Sequence, residues 1–126
     1  MANRRMFEPL CVQRGVAVVC GNGTGAGAAD LTSVTGAGIS AITHQATGTY
    51  RVELDDAYPL LLSAVAIVEH ATADFVCMVD ATDLTAATPY VQFRVMQESA
   101  GALADTDLTS SEILYVTLFF RNTGTV

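Results

Sequence analysis

The chain of 126 residues contains no lysine and no tryptophan, and its six basic residues are all arginine. Without lysine there is no Schiff-base chemistry and no phosphate-cradling lysine of the P-loop type. Histidine is nearly as scarce. His44 and His70 are too few for a three-histidine zinc site, and neither stands in H-E-x-x-H or beside a cysteine pair, so both read as strand-end residues. His70 follows Glu69, and adjacent strand residues face opposite ways, so sequence position makes no acid–base pair of them. None of the serines sits in a G-x-S-x-G elbow, which leaves serine hydrolase chemistry without a foothold.

Positive charge is also lacking. Thirteen acidic residues against six arginines give a formal charge of −7, and the arginines at 4, 5, 14, 51, 94 and 121 form no basic run beyond Arg4-Arg5. Such a chain repels phosphate backbones, and no nucleic-acid partner is expected. Long apolar runs are missing too: Ala57 to Val68 is about a dozen residues, interrupted by Pro59, where a spanning helix needs about twenty. No membrane partner is expected. The opening Met-Ala-Asn-Arg-Arg-Met-Phe-Glu-Pro has no apolar core behind its charges, so the expectation is a protein without a secretory signal, made in a cytoplasm. The three cysteines, Cys11, Cys20 and Cys77, have no metal-type spacing. If Cys11 and Cys20 share one strand they face opposite sides and cannot bridge there, and reduced, packed thiols are expected.

Two motif fragments fail on context. Gly23-Thr-Gly25-Ala-Gly27-Ala28 fits G-x-G-x-x-A, but the fingerprint needs a helix to begin there and Ala29 to Gly36 is a poor helix, so a loop is expected. Asp105, Asp107 and Glu112 resemble part of a calcium loop without its ligand spacing or central glycine, and read, with Asp80 and Asp83, as solvated loop acids. No catalytic residue, cofactor or metal ligand is assigned, and an enzyme is not expected.

What the chain does have is a half-apolar composition and enough length to bury roughly two-thirds of its unfolded surface around one core. Leu10 to Cys20 reads as a strand ending at a glycine-rich loop, Gly21–Gly27. Gly38 to His44 and Tyr50 to Leu54 read as a hairpin, the second run alternating Tyr50, Val52 and Leu54 against Arg51 and Glu53. Residues 55–59 resemble a single helical turn with acids at its start. Residues 61–69, Phe75 to Val79, Tyr90 to Met96 and Ile113 to Phe120 read as further strands, the last apolar on both faces and hence central or facing a partner. Segments 81–89 and 99–111 read as long loops. The prediction is an all-β, single-domain β-sandwich or jelly roll of about seven to eight strands spanning 10–126, preceded by an extended N-terminal arm, 1–9.

The opening Met-Ala-Asn-Arg-Arg, the glycine-rich loop, the hairpin from Gly38 to Leu54, Asp56-Ala-Tyr-Pro-Leu-Leu62 and the ending Leu118-Phe-Phe-Arg-Asn122 together resemble small structural proteins of tailed phages. The resemblance implies a virion component, a capsid decoration, or cement, protein: made in the host cytoplasm, placed on the capsid exterior, and bound to the major capsid protein as a homo-oligomer, dimer or trimer. No active-site motif is carried over. The partner-binding candidates are Arg4, Arg5, Met6, Phe7 and Pro9 in the arm, where arginine and aromatic residues suit an interface, and Phe119 and Arg121 in the last strand. The alternative is a tail, baseplate or fibre-associated β-domain serving attachment, which the absence of tryptophan for sugar stacking disfavours.

Overall fold

A computed structural model describes residues 15–122. Over that span the fold is all-β, with nine strands and no helix: β1 (Val16–Thr24), β2 (Thr32–Thr35), β3 (Ile39–Ala46), β4 (Thr49–Leu54), β5 (Leu60–Glu69), β6 (Phe75–Asp83), β7 (Tyr90–Ser99), β8 (Ala102–Asp105) and β9 (Ile113–Arg121). They form two antiparallel sheets, one in the order β2-β1-β9-β5 and one in the order β3-β4-β7-β6. β8 pairs with the end of β7, on the side where β4 leaves off: β4 covers Tyr90–Arg94 and β8 covers Met96–Ser99.

One core lies between the sheets, as in a β-sandwich. Period-two alternation turns Tyr50, Val52 and Leu54 of β4 and Val91, Phe93 and Val95 of β7 inward. From the opposite sheet come Leu114, Val116, Leu118 and Phe120 of β9 with Val19 of β1. Each fully buried side chain of this size contributes about 1.5–3 kcal/mol relative to an exposed one. The alternation read in β4 and β7 is therefore the alternation observed, and β9 is central, between β1 and β5.

Four expectations are corrected. β1 does not stop at Cys20 but continues to Thr24, because Gly21 and Gly23 are strand residues at a crowded crossing. A Cβ on Gly21 would lie 2.3 Å from the Thr35 carbonyl oxygen, and one on Gly23 about 3.0 Å from Leu31 Cβ. Residues 55–59 form no helical turn; Tyr58 instead stacks on Phe120 with ring centroids 4.4 Å apart and lids the core. The expected loop 81–89 is shortened because β6 reaches Asp83. The expected loop 99–111 contains β8, reached through Ala100 and Gly101, both at positive φ (54° and 82°), the backbone of a tight two-residue hairpin.

Candidate interaction surface

The two outward faces of the sandwich differ in chemistry. On the five-stranded sheet, cross-strand neighbours consume one another's polar groups. Arg51 donates to Gln92 Oε1 from Nε at 3.2 Å and from a terminal nitrogen at 3.0 Å, and its guanidinium lies 3.7 Å from the centre of the Tyr90 ring. Gln92 in turn donates to Asp80 Oδ2 at 2.7 Å. Arg94 grips both oxygens of Asp105, at 2.7 and 3.0 Å, which holds that carboxyl below its ordinary pKa. The large exposed apolar residues on this sheet are Val76, Met78 and Val79 of β6 and Leu103 of β8.

On the four-stranded sheet the outward side chains are apolar or neutral. Register places Val18, Phe119 and Ser63 in one row across β1, β9 and β5, Cys20, Thr117 and Val65 in the next, and Asn22, Tyr115 and Ile67 in the third. Val65 and Ile67 are 52% and 60% exposed, and Val18, Leu60 and Leu62 are exposed beside them. Charge appears only at the two ends of these strands. Arg121 lies level with Val16 and Leu60, and Glu69 lies level with Ile113 and accepts a hydrogen bond from the Tyr115 hydroxyl at 2.9 Å, which raises the tyrosine pKa. Single exposed apolar residues are ordinary; here they recur across three strands, interleaved only with the neutral side chains of Ser63, Thr117 and Asn22. A shallow depression of about 340 Å3 between β1, β2 and β9, lined by Cys20, Thr35, Gly36 and Tyr115, lies on the same side.

Phe119, half-buried, and Arg121 thus sit on this face. The other sequence candidates, Arg4, Arg5, Met6, Phe7 and Pro9, lie outside the described residues. Sequence reasoning missed Val18, Val65 and Ile67. The apolar run 60–68 carries no alternation of polarity, so the pattern alone does not tell which of its residues face outward; pairing with β9 assigns them.

His70 follows the last residue of β5, a strand end as read from the sequence, whereas His44 does not end its strand, and both rings face carboxylates. His44, inside β3, has Nε2 2.8 Å from Asp107 Oδ1, and that oxygen also accepts the Gly48 N–H at 2.9 Å. His70 has Nδ1 3.3 Å from Asp74 Oδ1, four residues on, and Nε2 3.7 Å from Glu112 Oε1, an acid distant in sequence. Glu112 is buried and holds the Thr109 backbone N–H at 2.6 Å and the Thr109 hydroxyl. Asp107 and Glu112 are therefore clamps on the segment between β8 and β9 rather than solvated loop residues. Among the described residues no group of three or more His, Cys, Asp or Glu is arranged to hold a metal ion. Of the thiols, Cys77 is half-buried, but Cys20 is exposed, against the expectation that it is packed. Cys11 lies outside the described residues.

Comparison with protein-family models, with curated proteins and with solved structures returns no match.

Proposed function

We propose that this protein is a non-enzymatic capsid decoration protein that binds the outer surface of an assembled phage head and stabilises contacts between major capsid protein subunits. The observation that carries the proposal is the contrast between the faces: one sheet ties its outward charges into cross-strand pairs, while the other presents Val18, Val65 and Ile67 to solvent, with Phe119 half-buried among them and charge only at its ends. A surface of that kind gains free energy when a partner covers it. The two antiparallel sheets are consistent with the β-sandwich that the resemblance implies. In this reading the N-terminal arm, with Arg4, Arg5, Met6, Phe7 and Pro9, belongs to the same interface, and the protein acts as a homo-oligomer.

A protein that binds only the assembled shell stabilises it by mass action, without bond-making chemistry. Repetition around symmetry axes multiplies a modest contact.

The test mixes purified protein with undecorated phage capsids, and separately with isolated tails, and reads stoichiometry from the sedimented pellet. Saturable binding to capsids at a symmetry-related copy number, lost in Val65→Asp, supports the reading. Binding to tails alone moves the assignment to the tail, baseplate or fibre class, and binding to neither overturns the virion assignment.

A further inference from the structure

The outward face of the four-stranded sheet carries opposite charges at equal distances from its middle row. That row is Cys20, Thr117 and Val65, level with one another on β1, β9 and β5. Outward positions alternate along a strand, so two rows from Thr117 in one direction β9 presents Arg121. Two rows in the other direction it presents Ile113, and level with Ile113 stands Glu69 of β5. Between these ends the outward side chains of the three strands are apolar or neutral.

We infer that a second copy of this chain covers the face, related to the first by a two-fold axis that runs across the strands along the Cys20–Thr117–Val65 row. The inference rests on the reading of the protein as a homo-oligomer, and it names the surface and the symmetry that join the copies. Sheets packed face to face keep their strands aligned to within about 30°, so an axis lying in the interface runs either along the strands or across them. An axis along β9 sets Arg121 on Arg121 of the second copy. An axis across the strands reverses the rows instead. Arg121 then comes over Ile113 of the second copy, and that copy's Glu69 stands one strand spacing, about 4.8 Å, to the side, within reach of the guanidinium. Symmetry makes this contact twice, and charge therefore selects the second pose over the first.

Shape agrees with the same pose. Reversing the rows about the middle one brings Ile67, 60% exposed and protruding, over the small Ser63 of the second copy. Phe119 comes over Tyr115, an aromatic pair, and Val65 lies on its own counterpart at the axis. The charged side chains stay at the rim, where they cost little desolvation, and the middle of the contact is apolar and neutral.

Area sets the strength. β1, β9 and β5 contribute nine, nine and ten residues, with the short β2 beside them. At about 4.8 Å between strands and about 3.3 Å per residue the face measures roughly 500 Å2, so a pair hides roughly 1,000 Å2 in total. That area lies at the lower limit for a specific interface and belongs to a weak, reversible dimer. The contact uses the same surface on both copies, so it closes at two. In dilute protein the monomer prevails and Cys20 stays open to reagents, whereas pairing covers it.

Sedimentation equilibrium on the full chain over a wide range of concentration tests it, and a monomer–dimer equilibrium is expected. Arg121→Glu should raise the dissociation constant about tenfold, the exchanged pair Glu69→Arg/Arg121→Glu should bring it back to within about threefold of the wild type, and Val65→Asp should leave only monomer. The backbones of two sheets so packed stand about 10 Å apart, too far for a disulfide between the two copies of Cys20 but within the span of a short bismaleimide. That reagent should link Cys20 to Cys20 in the wild type and not in Val65→Asp. Monomer at every concentration overturns the inference, and so does a trimer, a dimer that survives Val65→Asp, or an exchanged pair no tighter than Arg121→Glu. The capsid sedimentation test decides the decoration reading separately: capsid binding by a protein that stays monomeric sinks the pairing alone, and a dimer that ignores capsids and tails sinks the virion assignment alone.

Discussion

The Tyr50 hydroxyl accepts the backbone N–H of Leu108 at 2.7 Å, across 58 positions of sequence and inside the core. Tyr50 belongs to β4 in one sheet, and Leu108 is the buried centre of the segment that leads into β9 in the other. Around it, Gly27 donates to the Leu108 carbonyl at 2.8 Å and Gly25 to the Glu112 carbonyl at 2.9 Å, so an apparently irregular stretch has its backbone groups accounted for. Burial keeps the phenol protonated, with its pKa raised.

Tyr50→Phe removes the acceptor and leaves the ring. The Leu108 N–H is then buried without a partner, and the expected loss is about 1–3 kcal/mol. Urea denaturation should show a lower midpoint at unchanged slope. A midpoint equal to the wild type would mean that the 106–112 segment is held by its histidine and glutamate clamps alone.

Gly48 closes the β3–β4 hairpin at φ 71°, and a Cβ there would stand 2.5 Å from the Val95 carbonyl oxygen and 2.9 Å from the Thr106 nitrogen. The glycine sits where β4, β7 and β8 meet: Val95 donates to the Gly48 carbonyl at 2.6 Å, and Thr106 donates to Val95 at 3.2 Å. Gly48→Ala combines a left-handed backbone with backbone collisions on two sides, and the expected cost is about 1–3 kcal/mol or more. Gly101→Ala serves as the control, since it carries the φ penalty at 82° with open space around it. Thermal unfolding should place Gly48→Ala clearly below Gly101→Ala; equal melting temperatures would show that the triple junction yields without strain.

How far the sequence discloses this architecture depends on whether a segment's pattern is local. Tyr50-Arg-Val-Glu-Leu54 and Tyr90 to Met96 alternate in polarity, so their faces follow from the residues themselves. Gly21 and Gly23 mislead because glycine signals a loop by composition, whereas here it answers to the approach of Thr35 and Leu31, which only pairing brings near. β8 is hidden because its turn places an alanine, Ala100, at positive φ, where sequence rules look for asparagine or aspartate. The apolar face is half legible. Phe119 and Arg121 can be named from β9, but Val65 and Ile67 lie in a run apolar on both sides and acquire a direction only from the β5–β9 register.

The two described thiols should differ in reactivity. Cys20 lies exposed on the outer face of the four-stranded sheet, while burial raises the Cys77 pKa to about 11. Thiolate is the reactive form, so at mildly alkaline pH iodoacetamide should label Cys20 in the folded protein and spare Cys77 until denaturant is added. The linkage has a definite sign. The folded state keeps the Cys77 proton to higher pH than the unfolded chain, so its stabilising contribution is complete below the ordinary thiol value near 9 and declines as pH rises toward about 11. Cys77→Ala should therefore flatten the alkaline limb of stability against pH while lowering stability at neutral pH through lost packing. Peptide mapping after labelling at pH 8 decides the first point: equal modification of Cys20 and Cys77 in the native state would mean that β6 opens to solvent faster than the reagent reacts.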